Sequence, residues 1–155
     1  VPLDWDADGD LDLAVVAEQR LRLFQNRGNR TFDNVDRFSS MPEEVVRISD
    51  IAACDYDRDL DIDLLLASPT SIEACVLENI LHGQFRFQLL DRDWSAVGAA
   101  HAITFAELDG NVSWDWIIAK PDSVVALRTK TVQTGQCLPH VSDTVEQAAN
   151  HIGLF

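Results

Sequence analysis

Near the start of the chain stands the acidic stretch DWDADGDLD, residues 4–12, which places an aspartate at every second position. Two related stretches follow at intervals of about 51 residues, DYDRDLDID at residues 55–63 and ELDGNVSWD at residues 107–115. A short run rich in apolar residues comes directly after each stretch, at residues 13–17, 64–67 and 116–119. Apolar runs this short predict buried strands. A period of this length is typical of a repeat protein.

The segments between the acidic stretches repeat as well. Asn26 and Asn79 are about 53 residues apart, and so are Phe32 and Phe85, with a glycine before each phenylalanine. Asparagine and glycine between apolar segments are typical of hairpins, because they adopt turn conformations that other residues resist. Each unit is therefore predicted to run strand, acidic loop, strand, turn, strand, turn, strand.

The period sets the bounds of the predicted units. They cover residues 1–47, 48–99 and 100–150, with first strands at 48–54 and 100–106 in the second and third units. Residues 151–155 resemble another first strand and are predicted to start or complete a further unit. A helix is predicted over residues 143–150, where Asp143 can cap its start.

Four antiparallel strands in each unit predict an all-β chain. A four-stranded unit of this size suits the blade of a β-propeller, so residues 1–155 are predicted to be a propeller segment of about three blades. Propellers usually have four to eight blades. We therefore expect the remaining blades to come from a larger chain or from self-association.

Alternating carboxylates repel one another, and the usual reason to place them together is a bound cation. A D-x-D-x-D-G loop offers Ca²⁺ its side chains at positions 1, 3 and 5 and a backbone carbonyl at position 7, and position 9 can complete the set. An EF-hand would need a glutamate at position 12, where Val15 stands. The predicted Ca²⁺ residues of the first two loops are Asp4, Asp6, Asp8, Asp10, Asp12, Asp55, Asp57, Asp59, Asp61 and Asp63.

The second and third loops depart from this pattern. Leu60 replaces the position-6 glycine of the first loop, Gly9, and a left-handed backbone at a non-glycine residue costs roughly 1 to 2 kcal/mol. We still expect calcium in the second loop, with weaker binding. The third loop begins with Glu107 and carries Val112 at position 6. It either binds calcium or keeps its shape by hydrogen bonds alone.

The first loop and the hairpin of residues 23–32, LFQNRGNRTF, resemble the FG-GAP/VCBS repeat of integrin α-subunit propellers and of many secreted proteins. The resemblance is strong in the first unit, fair in the second and weak in the third. It implies a β-propeller used for structure and recognition outside the cytoplasm, with calcium held in the loop between the first two strands of a blade. It implies no catalysis.

Charge and motifs restrict the function further. A net charge of −14 argues against nucleic-acid binding, which needs clustered Lys and Arg. No apolar stretch approaches the ~18 residues of a membrane span, and nucleophile-elbow, HExxH and phosphate-loop motifs are absent from the sequence. We therefore predict a calcium-stabilised, non-catalytic module that binds a protein partner in interaction or adhesion and is extracellular or secreted, or lumenal or periplasmic. An enzyme is the least favoured class.

The alternative function is a lectin-like propeller that binds a glycan by aromatic stacking on its four tryptophans, Trp5, Trp94, Trp114 and Trp116. Against it, Trp5 and Tyr56 at position 2 are expected to pack on a neighbouring blade. The residues at position 8, Leu11, Ile62 and Trp114, are expected to point into their own blade.

Cys54 and Cys75 fall in the predicted first and third strands of one unit. Such strands lie about 9.6 Å apart, too far for a disulfide, so no bond between them is predicted.

Overall fold

The computed structural model describes residues 1–36, 47–70, 75–89, 99–111, 114–128 and 147–148. These residues form twelve β-strands in three four-stranded sheets, and every strand pair is antiparallel. The predicted all-β architecture with four-stranded antiparallel units is confirmed. Among the described residues, no helix has the length and apolar character that crossing a membrane requires.

In each sheet, strands that follow one another in sequence are hydrogen-bonded neighbours. Sheet 1 contains β1 (Pro2–Leu3), β2 (Asp12–Ala17), β3 (Arg20–Asn26) and β4 (Phe32–Asn34). Sheet 2 contains β5 (Asp50–Cys54), β6 (Asp63–Ala67), β7 (Cys75–Leu81) and β8 (Gln84–Leu89). Sheet 3 contains β9 (Ala102–Ala106), β10 (Asp115–Ala119), β11 (Ser123–Leu127) and β12 (Gln147–Ala148). Strands β5 and β9 lie inside the ranges predicted for first strands.

The predicted helix over residues 143–150 is wrong where the structure describes it. Gln147 and Ala148 form β12, which pairs with Val124 and Ser123 of β11. A fourth strand satisfies the backbone groups along the edge of β11, and that tertiary pairing outweighs the local preference of alanine for a helix. The rest of the predicted helix, residues 151–155, Trp94 and Cys137 lie outside the described residues.

Sheet 2 lies between the other two sheets, and β6 shows this in its sequence. Leu64 and Leu66 belong to the core shared with sheet 1, whereas Leu65 and Ala67 belong to the core shared with sheet 3. Successive residues of a strand point to opposite faces. A strand covered on both faces therefore reads as an unbroken apolar run rather than an alternating one.

Trp5 makes the junction between sheets 1 and 2. Its ring is 3% exposed and meets Phe85 edge to face, with the ring centroids 5.7 Å apart. Asn79 Nδ2 donates a buried 2.8 Å hydrogen bond to the Trp5 carbonyl oxygen. The predicted packing of Trp5 on a neighbouring sheet is confirmed, and Tyr56 packs likewise against the core between sheets 2 and 3.

The prediction for position 8 is wrong at two of its three residues. Leu11 and Trp114 are both more exposed than buried, while Ile62 packs against the core between sheets 1 and 2. Strand alternation acts on all three, because the position-9 residues Asp12, Asp63 and Asp115 begin the second strands with fully buried side chains, and on the opposite side Ile62 meets the core between sheets 1 and 2. The residue before each of them faces the other way.

Cys54 and Cys75 lie on β5 and β7, with β6 between them, and both are buried thiols outside any disulfide. Cys54 faces the core shared with sheet 3 and Cys75 the core shared with sheet 1. Burial, reinforced by the charge of Asp63, raises the pKa of the Cys54 thiol far above its usual value. The thiol is therefore held in its unreactive form.

Replacement of Gly83 tests how tightly Trp5 seals the junction. Gly83 has φ of +80°, and a Cβ added there would lie 2.9 Å from Trp5 Cδ1. We expect Gly83→Ala to lower the free energy of unfolding by about 1 to 2 kcal/mol for backbone strain and by about 1 to 3 kcal/mol for the clash.

Gly9→Ala is the control, since Gly9 has φ of +92° and an added Cβ would meet no atom within 4 Å. Urea denaturation of both variants in chelator measures the two costs. Equal losses in the two variants would contradict a close contact between Gly83 and Trp5.

Candidate metal centre

The three acidic loops occupy the same place in their sheets. Each joins the first strand to the second, over residues 4–11 and 55–62 and, in the third sheet, over a loop described at residues 107–111 and 114. The first two strands of each sheet are antiparallel neighbours in a fixed register, as in Leu3 opposite Asp12 and Cys54 opposite Asp63. The strands therefore hold both ends of each loop at the same distance.

Carboxylate oxygens gather in each loop, and those of one group lie within 4.8 Å of one another. The groups are Asp4, Asp6 and Asp8 in the first loop, Asp55, Asp57, Asp59 and Asp63 in the second, and Glu107, Asp109 and Asp115 in the third. Seven of the ten predicted metal residues are thus brought together, and the other three, Asp10, Asp12 and Asp61, lie outside the groups. The third loop also brings three carboxylates together, although the sequence had left calcium binding by this loop undecided.

Backbone amides hold the carboxylates in place. At position 1, Asp4 Oδ2 accepts from the Gly9 amide at 3.0 Å, and Asp55 Oδ2 accepts from the Leu60 amide at 3.2 Å. At position 5, Asp8 and Asp59 each accept from the amide two residues later at 2.9 Å. The same turns recur in both loops because aspartate bonds its own backbone two residues on.

Position 4 is left-handed in all three loops and position 6 in the first two, and the sequence indicated only position 6. At position 6, φ is +92° in Gly9 and +79° in Leu60, as the D-x-D-x-D-G pattern implies. At position 4, φ is +59° in Ala7, +66° in Arg58 and +78° in Gly110. The third loop therefore has its glycine where position 4 requires it, although the alignment makes Gly110 look misplaced.

The position-9 aspartates are fully buried and tie each loop to its sheet. In the second loop, Asp63 Oδ2 accepts from the Tyr56 amide at 3.1 Å and Oδ1 from the Asn79 amide at 2.8 Å. Asp12 accepts from the amides of Trp5 and Asn26 in the same way. The buried carboxylate at position 9 therefore links its loop to the third strand.

These buried carboxylates ionise at a cost. Burial raises the pKa of Asp63 to about 8 and that of Asp12 to about 6, although backbone hydrogen bonds act in the opposite direction. Burial and the charge of Asp59 raise the pKa of Asp57 to about 6. Neighbouring negative charges disfavour the ionised form, and a cation within reach would favour it.

Asn79 has a role that sequence reasoning missed, although the repeat spacing had singled it out as a turn residue. Its side chain is fully buried, donates to the Trp5 carbonyl and accepts from the Gly83 amide at 3.0 Å. Asn26, its equivalent in sheet 1, bonds the Leu11 carbonyl and the Gly28 amide in an exposed setting. The asparagine thus fixes the loop that follows it, and in sheet 2 it also fixes the neighbouring sheet.

One atom of the second loop indicates a missing partner. Asp55 Oδ1 is buried and accepts no hydrogen bond from the part of the chain that the structure describes. A buried acceptor in this state is costly unless another group satisfies it. The group of four carboxylates offers hard oxygen atoms without nitrogen or sulfur, a donor set that fits Ca²⁺ better than Zn²⁺.

A comparison with known protein families finds a match for one part of the chain. Residues 4–66 match the model of the FG-GAP-like repeat. The resemblance predicted from the first loop and its hairpin is therefore confirmed over these residues. The FG-GAP-like segment contains the first two acidic loops, whereas the third lies beyond it. Searches of curated proteins and of solved structures return no match.

The tryptophans separate into two kinds. Trp5 and Trp116 are buried, so neither offers a ring to a sugar. Trp114 is 51% exposed and lines a cavity of about 580 Å³ beside the first strands of sheets 2 and 3. In the described part of the chain, one tryptophan is therefore exposed enough to stack on a sugar, and it lies at the edge of a mostly apolar cavity.

Leu60 of the FG-GAP-like segment offers a test of loop strain. It is 89% exposed at φ of +79°, so its side chain gains little from packing while its backbone is strained. We expect Leu60→Gly to raise the free energy of unfolding by about 1 kcal/mol. Leu11→Gly is the control, because Leu11 is an exposed leucine of the first loop outside the left-handed positions. Urea denaturation in chelator should show the control unchanged or destabilised. A gain in both variants would refute the strain.

Asn79 and Asn26 form a matched pair for the hydrogen bonds that fix the loops. We expect Asn79→Ala to cost about 2 to 4 kcal/mol, because it leaves the buried Trp5 carbonyl and Gly83 amide without partners. Asn26→Ala should cost under about 1 kcal/mol, because water can replace its exposed bonds. Thermal and urea unfolding measure both, and similar losses would contradict the junction role of Asn79.

Proposed function

We propose that the chain is a calcium-stabilised β-propeller module that binds a protein partner, in interaction or adhesion, and performs no catalysis. The FG-GAP-like repeat supports the class, since repeats of this kind suggest propeller-type interaction modules. Its resemblance to repeats of integrin and secreted proteins supports the proposal of a role outside the cytoplasm, in an extracellular, secreted, lumenal or periplasmic setting.

The observation that carries the calcium proposal is the buried Oδ1 of Asp55, in a loop where four carboxylates converge. We assign one Ca²⁺ to Asp4, Asp6 and Asp8 and a second to Asp55, Asp57, Asp59 and Asp63. The backbone carbonyls at position 7, in Asp10 and Asp61, complete the proposed sets. Asp12 stays tied to the backbone amides of Trp5 and Asn26.

Calcium has a structural role in this proposal. The chain carries a net charge of −14, and its loops place like charges side by side. An ion in each loop offsets that repulsion. At about 1 mM free Ca²⁺ and a dissociation constant of ~0.1 mM, each ion would add roughly 1.4 kcal/mol to the free energy of unfolding.

Calorimetric titration of metal-stripped protein with Ca²⁺ tests the assignment. We expect Asp6→Ala to remove one binding equivalent and Asp57→Ala another, because each deletes one carboxylate from a different group. A third equivalent that persists in the double variant would belong to Glu107, Asp109 and Asp115.

Asp122→Ala is the control, since it removes an exposed aspartate outside the three loops and should leave the titration unchanged. Absence of binding at millimolar Ca²⁺ would overturn the calcium assignment. The same stoichiometry in the wild type and in the double variant would overturn it as well.

A further inference from the structure

The three sheets stack with a constant direction. Sheets 1 and 2 each pack one face, called here the back face, on the front face of the sheet that follows in sequence. Sheet 2 defines both faces. Its front face toward sheet 1 carries Leu64, Leu66, Leu77 and Phe85, and its back face toward sheet 3 carries Ala52, Leu65, Ala67 and Val76.

Sheet 1 has a front face that matches that of sheet 2. Leu13 stands opposite Phe24 as Leu64 stands opposite Leu77. Phe32 stands opposite Asn26 as Phe85 stands opposite Asn79. The apolar side chains of the front face of sheet 1 are therefore Leu13, Val15, Phe24 and Phe32, and the polar residues Arg22 and Asn34 share that face.

Sheet 3 has a back face that matches that of sheet 2. Ile117 stands between Thr104 and Ala126 as Leu65 stands between Ala52 and Val76. Ala119 takes the place of Ala67. The back face of sheet 3 therefore includes Thr104, Ile117, Ala119, Val124 and Ala126.

These two outer faces are exposed where their equivalents in sheet 2 are buried. Leu66 and Phe85 are 2% and 5% exposed, whereas their equivalents Val15 and Phe32 are 37% and 45% exposed. On the back face of sheet 3, Thr104 is exposed and Ile117 is only partly buried, although Leu65 is fully buried. Each end of the stack thus presents one half of a sheet junction.

The contact between a loop and the following sheet also has exposed counterparts at the two ends of the stack. Trp5, at position 2 of the first loop, packs on Phe85 of the next sheet. The residue at position 2 of the third loop is Leu108, and the equivalent of Phe85 in sheet 1 is Phe32. Both are exposed, at 43% and 45%. A sheet 1 placed behind sheet 3 would bring these two side chains together.

We propose that the front face of sheet 1 docks on the back face of sheet 3 of a second copy of this chain. Size complementarity supports this orientation, since leucine and phenylalanine would meet alanine and threonine, as the large front residues of sheet 3 already meet Ala52 and Ala67 of sheet 2. A front-to-front pair would instead bury two Arg22 side chains, each ion-paired with Asp36 at 2.7 Å, in one interface, because Arg22 stands opposite Val15 on that face.

Two copies bring together the six described sheets, within the range of known propellers, and head-to-tail contacts form a ring when the rotation between copies closes. Three copies would exceed that range. The number six rests on the proposed propeller, whereas the pairing of the two faces does not. Arg22 and Asn34 replace the less polar Cys75 and Phe87 of sheet 2 on this face, so the association is expected to be reversible.

Sedimentation equilibrium of the 155-residue chain in physiological salt tests the proposal. We expect a monomer of 17.3 kDa in reversible equilibrium with a species of twice that mass. Val15→Arg on the front face and Ile117→Arg on the back face should each shift the protein to monomer. Leu81→Arg is the control, since it places the same charge at an exposed leucine of sheet 2 and should leave the equilibrium unchanged.

Mixing the two single variants identifies the geometry. Each retains the face that the other lacks, so an equal mixture should recover a species of two chains. A mixture that stays monomeric would overturn the proposal, and like-face pairing would show as one single variant that still associates on its own. A wild-type chain that stays monomeric up to about 1 mM would overturn it too, as would association that Val15→Arg and Ile117→Arg leave intact. Circular dichroism of each variant verifies its fold, and calcium titration remains a separate test of the proposed function.

Discussion

Apolar side chains on both faces of each sheet constrain the whole structure. A sheet with one apolar face can be covered by a single neighbour, but Leu64, Leu65 and Leu66 of β6 need a partner on each side. Sheet 2 has both partners and is the best-buried part of the described chain. Sheets 1 and 3 have one each, and their outer faces are half-exposed. Stacking is therefore what makes the individual sheet stable, because an isolated four-stranded sheet with two apolar faces would expose one or both to water.

The loops meet a second structural requirement, because each must bring the chain into the second strand of its sheet in the right direction. A buried aspartate at position 9 accepts amides from position 2 and, in the first two sheets, from the third strand. This places a carboxylate where burial opposes its charge, as the raised pKa of Asp63 shows. The carboxylates at positions 1, 3 and 5 of the first two loops then close the turn by accepting from backbone amides two to five residues later. The geometry that folds the loop is thus the geometry that gathers oxygen atoms around a common centre.

Much of this architecture could be read from the sequence because the signals are local and repeat. The alternating aspartates, the apolar runs after them and the Asn-Gly hairpins identified nearly all strands, and the position of the loops followed. The remaining features depend on contacts far apart in sequence. Nothing local distinguishes Asn79 from Asn26, yet only Asn79 meets the Trp5 carbonyl across the junction. The strand at 147–148 forms because β11 offers an open edge, and alanine and glutamine do not indicate it. The left-handed residue at position 4 was hidden because Ala7 and Arg58 tolerate a conformation that glycine would have indicated.

The contacts of the first loop connect its shape to the packing of the sheets. Asn79 holds the carbonyl of Trp5, and His82 Nδ1 donates to the carbonyl of Asp6 at 3.0 Å, so two consecutive residues of the loop are bonded to sheet 2. Asp6 also receives a hydrogen bond from Gln25 of its own sheet. The backbone carbonyls of the loop therefore bond sheet 2, while its carboxylates form the candidate metal site. A cation that orders Asp4, Asp6 and Asp8 would also fix the two carbonyls that sheet 2 recognises. Its stabilising effect would then extend from the loop to the stacking of the sheets, on which the burial of both apolar faces depends.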